Sequence, residues 1–378
     1  MYFDNATTTI HKPKEVIDKI TEVMISEKYG NPSRSGHILS QNTMLAIYES
    51  KKELAKLVHI DNPSDIVFTQ NATYALNFII KSLVTKNDHV ITTSTEHNSV
   101  LRPLYQSGAE LSFLDFDENF ELKYESLGSL LKANTRFLVT NSASNLLANV
   151  NDLDRLHNFT RENNLIMIVD LAQSLGVVDI DISKYDNSLF AFTGHKSLYG
   201  PSGTGGIIKN GDFDFKNVFS GGSGVRSFEK DHPSNFPSVF EVGTANFVGQ
   251  IALGAGIKFV NETGVDSIYK HLANLTQKFY NGIKDIPGIK FYSKNPDGLI
   301  SPLVSFNLGN VSSDELALIL DEDYDIQTRP SSHCAPLIHE HFATVDQGIV
   351  RFSFSYFNSM DETDRAIDAV KEIAAKYA

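Results

Sequence analysis

A lysine and an aspartate, each closing an apolar run, raise the first chemical possibility in this sequence. Residues 188–206, SLFAFTGHKSLYGPSGTGG, begin with an apolar and aromatic stretch that stops at Thr193-Gly194-His195-Lys196, and a glycine-rich loop follows. An amine buried at such a strand end has a lowered pKa and can act as a neutral nucleophile that forms a Schiff base. A second apolar run, LIMIVDLAQS at 165–174, ends in Asp170. A lone lysine at a strand end is more often a surface cap. A Schiff-base lysine together with an acidic partner for a pyridinium nitrogen is what pyridoxal phosphate chemistry asks of a protein. The pair makes pyridoxal phosphate the leading reading.

Other residues follow the same pattern of polar groups just past apolar runs. FTQNATYALN, 68–77, turns from strand to helix through Asn71, Ala72 and Thr73, which gives either an anion cradle at a helix start or an ordinary N-cap. His97 in TSTEHNSVLRP could stack on a pyridine ring and shuttle protons, or be a polar loop residue. Asn145, at the end of NSASN, could reach a ring oxygen or a substrate carboxylate, or serve a turn; Gln173 is offered to a phenolic oxygen. Cys334 lies in TRPSSHCAPLIHEHF beside His333, with Arg329 close by, and cationic neighbours make a thiol nucleophilic. The same stretch admits a metal site from His333, Cys334, His339 and His341, although no standard zinc spacing is matched. It also admits a Cys–His hydrolase without the usual geometry, or an inert buried thiol. GPSGTGG lacks the Gly-Lys-Ser/Thr of a P-loop and GGSGVR does not fit the dinucleotide fingerprint, so ATP and NAD lose ground.

The elements that must hold these residues are legible as periodicity. Helices are expected over 13–28 and 39–58. Then IVFTQ, HVITT, ELSFLDF, RFLVTNS and LIMIVD read as strands, alternating with helical segments ATYALNFIIKSL, SVLRPLYQ, SLGSLLKA and DLDRLHNFTREN. Such alternation argues for a mainly parallel sheet covered on both faces, with ligands at the carboxyl ends of its strands. After residue 207 the pattern lapses into a Gly/Ser/Pro-rich stretch, then a helix near 246–261. A smaller α+β unit follows: a helix to Ile286, strands IKFYS and LVSFNLG, the helix DELALILDE, the strand IVRFSFSY and a helix from Asp361.

The bulk numbers set bounds on function. With 378 residues the chain suits a large and a small domain. A formal net charge of -13 argues against nucleic acid or an anionic membrane as main partner. No run has the apolar length of a spanning helix and the start MYFDNATTTI shows no signal peptide. The single cysteine rules out an intramolecular disulfide, and a cytoplasmic location is expected.

Taken in order, YFDNATTT, NPSRSGH, NATYALN, EHNSVLRP, ASN, VDLAQSLG, FTGHKSLYGPSGTGG, FEVGTAN, RPSSHCAP and VRFSFSYFNSMDETD resemble the class V aminotransferase-like enzymes, and within them the cysteine desulfurases with a compact cysteine loop, relatives of selenocysteine lyases. The resemblance implies a homodimer of the pyridoxal phosphate-dependent aspartate aminotransferase-like fold (fold type I). Its large α/β domain would span 14–262, and a small α+β domain would combine 1–13 with 263–378. Lys196 would carry the internal aldimine and move the substrate proton. Asp170 would pair with the ring nitrogen, Gln173 with the ring hydroxyl, and His97 would stack on the ring. Ala72, Thr73, Thr193 and His195 would hold the phosphate, joined by Thr244 from the partner subunit. Arg351 would bind the substrate carboxylate with Asn145, Arg329 lying near, and Cys334 would take the sulfur as a persulfide. The implied reaction turns L-cysteine into L-alanine and hands sulfur to an acceptor protein for iron–sulfur cluster or other thio-cofactor synthesis. A selenocysteine lyase, another class V C–S lyase, aminotransferase or epimerase, and a non-catalytic sulfur-trafficking scaffold are the alternatives. Four places depart from the family pattern: Thr7 for an alanine, Ser142 for a histidine, Ala148 for a glycine, and Pro330-Ser331-Ser332 where x-Gly-His is usual.

Overall fold

The computed structural model describes residues 1–32, 36–224 and 226–377; the Ser33-Arg34-Ser35 centre of NPSRSGH and Val225 of GGSGVR lie outside them. Two helices, α1 (Lys14–Ile25) and α2 (Ile38–Leu57), lead into the alternating region. There β1 (Ile66–Thr69), α3 (Ala72–Leu83), β2 (His89–Thr93), α4 (Asn98–Ser107) and β3 (Glu110–Leu114) follow in turn. Next come β4 (Thr135–Asn141), α5 (Leu153–Glu162), β5 (Ile166–Asp170), β6 (Ser188–Thr193) and β7 (Gly205–Asn210). Two long helices, α6 (Phe247–Thr263) and α7 (Val265–Ile283), lead to β8 (Ile289–Phe291) and β9 (Leu303–Leu308). The chain ends with α8 (Ser313–Tyr324), α9 (Pro336–Phe342), β10 (Val350–Ser353) and α10 (Met360–Tyr377).

The large sheet has the order β1-β7-β6-β5-β4-β2-β3. Strands β3, β2, β4, β5 and β6 run parallel, while β7 is antiparallel to both β6 and β1. The mainly parallel α/β fold read from the alternation is therefore the one adopted. Successive side chains of a strand point to opposite faces, and both faces are covered. Along β6, Phe190 and Phe192 enter one core cluster, while Leu189 and Ala191 enter the other.

Sequence periodicity missed β7, and the reason is steric. A Cβ on Gly205 would lie 2.6 Å from Asn71 Cα, and one on Gly206 would lie 2.5 Å from the Val67 carbonyl oxygen. The strand can reach β1 and the turn into α3 only by starting with two residues that lack side chains, and such residues carry no hydrophobic signal. The expected helix SLGSLLKA instead forms a short 3-10 stretch at Tyr124–Leu130 with Gly128 inside it, and a glycine in mid-run weakens an α-helix. Helix α9 was hidden in the histidine-rich stretch after Cys334.

The smaller sheet, β10-β9-β8, is antiparallel throughout. Phe279, Phe306 and Phe352 stack behind it, and their core cluster continues into one face of the large sheet. The N-terminal segment runs beside β10, bridging Asp4 to Ser353 and Tyr2 to Gln327. This pairing brings the first residues of the chain to Arg351.

Candidate active site

A cavity of about 290 Å³ opens at the carboxyl ends of the large sheet's parallel strands, where such folds bind ligands. Asp170 and Thr193 are the last residues of β5 and β6, and Asn141 ends β4 in register with Asp170. Lys196 follows the end of β6 after Gly194 and His195. From the other side come Arg329, Cys334 and Arg351, and all of these line one cavity with Ala72, Thr73, His97, Asn145 and Gln173. Thr244, named for the phosphate, does not line it. It lies in a second cleft of about 1010 Å³ with Met44, Leu45, Tyr48 and Phe219.

Each group at the sheet end is tuned by its surroundings. Burial lowers the Lys196 amine to about 8; Asp170 opposes that shift, while the Arg351 and Arg329 charges add to it. Near neutrality roughly a tenth of this amine is unprotonated, far more than for a free lysine, and the unprotonated form is the one that acts as nucleophile and base. Burial raises the Asp170 carboxyl, against the Ala172 N–H at 2.9 Å and the Lys196 charge. His97 caps α4: its Nδ1 accepts the Ser99 N–H at 3.0 Å, so the neutral ring carries its proton on Nε2. Burial first, then the Lys196 charge, holds His97 down at about 3, and the same two causes hold His195 at about 4. Both imidazoles are neutral at physiological pH.

The start of α3, which the sequence offered as an anion cradle or an ordinary N-cap, faces this cavity. Asn71 caps the helix through the Tyr74 N–H, leaving the backbone of Ala72 and Thr73 at the cavity wall. Thr73 Oγ1 bonds Ser99 Oγ at 2.7 Å. Thr193 Oγ1 is buried with no hydrogen-bond partner among the described residues. A helix start and an orphaned hydroxyl facing one cavity suit a phosphate. A buried carboxyl with one backbone donor suits a protonated ring nitrogen. The residues present thus fit pyridoxal phosphate, and both observations belong to this chain alone.

The opposite wall is built from chain ends and loops. Arg351 is fully buried; its Nη2 donates to Asp4 Oδ1 at 2.9 Å and Thr7 Oγ1 at 3.1 Å, its Nη1 to the Asn145 carbonyl at 2.9 Å, and its Nε has no partner among the described residues. Burial draws its pKa down to about 10 against the Asp4 charge. Asn145 Nδ2 donates to the His333 carbonyl, and Gln173 Nε2 to that of Ala6. Both side chains tie segments together as well as lining the cavity. The Cys334 carbonyl accepts the Asn98 N–H at 2.9 Å, and Arg329 Nη2 lies 4.0 Å from Cys334 Sγ.

Among the described residues no three His, Cys, Asp or Glu side chains gather as metal ligands. His333 Nε2 turns to the Ile349 carbonyl, and His341 packs on Phe116. No helix among them is long and apolar enough to cross a membrane.

Sequence reasoning overlooked Glu96 and Asn141. Glu96 is buried, with Oε1 accepting from Thr93 Oγ1 and from the backbone and side chain of Asn141, while Oε2 has no partner among the described residues. Burial lifts its carboxyl to about 8, with Asp170 adding to the rise. Asn141 was detectable by the signal that found Asp170, a polar residue closing a buried strand. Asp4 sat in a quoted motif, but nothing local pointed it toward Arg351.

The comparisons with known proteins agree with this geometry. The model of the family described as Aminotransferase class-V matches residues 1–366. The chain belongs to this family. Class V enzymes of this kind depend on pyridoxal phosphate. The chain is 30% identical to a probable cysteine desulfurase of Pyrococcus abyssi, covering 99% of this class V chain and 94% of the relative. It is also 30% identical to one of Methanothermobacter thermautotrophicus, with the same coverage of 99% and 94%. The apo structure of a cysteine desulfurase from Thermococcus onnurineus NA1 superposes with a TM-score of 0.91 at 28% identity, over 100% of this chain and 95% of that one.

Proposed function

We propose that this class V enzyme is a cysteine desulfurase that converts L-cysteine to L-alanine and receives the sulfur on Cys334. The observation that carries the reading is the meeting of Lys196, Arg351 and Cys334 around one cavity. They combine an amine of lowered pKa, a buried carboxylate receptor and the chain's only thiol. When bound, pyridoxal phosphate supplies the electron sink that makes the substrate Cα proton removable.

In this reading the start of α3, Thr193 and His195 hold the phosphate, Asp170 faces the ring nitrogen, Gln173 the ring oxygen, and His97 the ring face. Arg351 takes the substrate carboxylate, with Asn145 beside it. The Lys196 Nζ removes the Cα proton and holds it for return. The Cys334 thiolate attacks the substrate sulfur: an S–S bond forms, the Cβ–S bond breaks, and its electron pair stays on carbon, which is protonated. Cysteine plus the Cys334 thiol thus balance as alanine plus the Cys334 persulfide. An acceptor thiol, on a carrier protein or a small reductant, then removes the outer sulfur.

Two further parts belong to the same proposal. The second cleft, with Thr244 and the exposed Met44, Leu45, Tyr48 and Phe219, is covered by a second copy of the chain, whose phosphate site Thr244 completes. Residues 14–262 form the cofactor-binding unit, and 1–13 with 263–378 the unit bearing the sulfur chemistry. The cytoplasm, where the single thiol stays reduced, is the expected location.

The test is incubation of the pyridoxal phosphate-loaded protein with L-cysteine and a thiol reductant. Alanine and sulfide in equal amounts are expected. A cofactor spectrum that responds to cysteine without any alanine, even with added acceptor, would reject the reading, and turnover of L-selenocysteine alone would replace it with a selenocysteine lyase.

A further inference from the structure

Thr7 departs from the family's alanine, and the structure gives its hydroxyl a full set of partners. Oγ1 lies 2.7 Å from Asp4 Oδ1, 2.8 Å from Arg329 Nη1 and 3.1 Å from Arg351 Nη2. A hydroxyl has one proton and two acceptor lone pairs, a carboxylate only accepts, and a guanidinium only donates. The roles are therefore forced. Thr7 donates to Asp4 and accepts from both arginines.

The two arginines depend on this hydroxyl unequally. Arg351 is also held by Asp4 and by the Asn145 carbonyl. Among the described residues the Arg329 guanidinium has only the Thr7 hydroxyl and, 4.0 Å away, the Cys334 sulfur. Its backbone pairs with that of Arg351, Arg351 N donating to the Arg329 carbonyl at 2.9 Å, but backbone pairing does not aim a long side chain. An arginine held through few contacts is dispersed by its rotamer freedom.

We propose that Thr7 is a positioning residue that holds the Arg329 guanidinium against the Cys334 sulfur and ties that contact to the Arg351 carboxylate site. The proposal rests on the desulfurase reading in treating Cys334 as the sulfur acceptor and Arg351 as the carboxylate receptor. Its effect on the thiol stands apart from turnover. A cation held near sulfur favours the thiolate, and Thr7 sets how much of the time Arg329 is there.

Cys334 is the only cysteine in the chain, so the iodoacetamide alkylation rate of the cofactor-loaded protein reports on this thiol alone. The charged and titratable groups that share its cavity are His97, Asp170, His195, Lys196, Arg329 and Arg351, with Asp4 on Arg351 and His333 next in the chain. Replacing Thr7 changes none of these charges. With Thr7→Ala, alkylation at pH 7 is expected to slow by about three- to tenfold. Thr7→Ser should restore the rate, and Thr7→Val, close in shape but without the hydroxyl, should behave as alanine. Arg329→Gln should slow alkylation likewise, and adding Thr7→Ala to it should change little more.

An unchanged alkylation rate in both Thr7→Ala and Thr7→Val overturns the proposal, as does full additivity with Arg329→Gln. A parent protein that makes no alanine while these alkylation shifts appear rejects the desulfurase reading and leaves Thr7 in its place. Normal alanine production with unshifted alkylation rejects Thr7 alone.

Discussion

At one end of the cavity, Asp170, Thr193 and Asn141 are terminal residues of β5, β6 and β4, held by ladders that continue through the sheet. At the other end Cys334 sits in a loop where Ser331, His333 and Cys334 have φ of 77°, 49° and 56°. Non-glycine residues seldom adopt this region, which costs roughly 1 kcal/mol or more each. The sheet end is rigid because regular structure places it. The loop end is held by particular contacts: Asn98 and Asn145 on the carbonyls of Cys334 and His333, and Thr7 on Arg329. This division suits the proposed chemistry, in which the first end must keep a ring fixed and the second must bring a thiol to sulfur and release it again.

The largest effects should separate the two ends by their readouts. Lys196→Ala should lower alanine production by about 10³-fold or more and abolish the absorbance of covalently held cofactor. Cys334→Ala should lose persulfide and alanine alike while that absorbance is retained. A Cys334→Ala protein with parental alanine production would break the comparison, since the loop end would then be dispensable. One step down lies Arg351→Lys, which keeps the charge but loses the fork that meets Asp4, Thr7 and the Asn145 carbonyl. Charge-assisted hydrogen bonds of about 1.5–3 kcal/mol predict KM for cysteine raised by roughly ten- to a hundredfold, with a smaller change in kcat. A kcat loss at constant KM would mean that Arg351 does not receive the carboxylate.

The same division explains what the sequence alone could tell. Asp170 and Thr193 close apolar runs and Lys196 lies three residues past one, so local periodicity located both the strands and the polar ends that line the cavity. The loop end relies on contacts such as Asp4 with Arg351 and Thr7 with Arg329, made across nearly the whole chain. No local pattern encodes those. Cys334 and Arg351 were found through the family resemblance and the presence of a single thiol. The partners that aim them were not. β7 was lost for the opposite reason, because its glycines are dictated by what lies against them.

Glu96 tests the rigidity of the sheet end through pH. Its carboxyl is held at about 8 in the folded protein, against about 4.3 in an unfolded chain. Between these values the folded state binds more protons, so this group's contribution is full below the unfolded value and is lost as pH rises toward 8. Glu96→Gln keeps an acceptor for Thr93 and Asn141 and cannot ionise. Relative to the parent, the variant should therefore gain stability steadily from about pH 5 to pH 8, measured by denaturant midpoints. His97 and His195, held neutral by burial, contribute the opposite slope at lower pH in both proteins and cancel in the difference. A constant difference across this range would show that Glu96 is ionised in the fold, with Asn141 held as partner to a buried charge.

The smallest effect is expected at Ser331, where the family usually has glycine. Its side chain is exposed, its N–H bonds Ser313 Oγ at 3.1 Å and its carbonyl accepts the Ile349 N–H, so Ser331→Gly removes no backbone bond. Relief of the left-handed conformation returns about 1 kcal/mol, and the added freedom of the unfolded chain takes back roughly 0.4–1 kcal/mol. The balance is a thermal midpoint higher by about one degree or less. Turnover should move the other way. A glycine three residues before Cys334 widens the range of loop conformations from which the thiol must attack, and kcat should fall about twofold while KM, set at Arg351, stays constant. Should stability rise with kcat unchanged, the strain at 331 is incidental, and the Asn98 and Asn145 contacts alone fix the sulfur end. If both fall, the serine conformation is one that the surrounding loop needs, and the two ends of the cavity are more alike in rigidity than their secondary structure suggests.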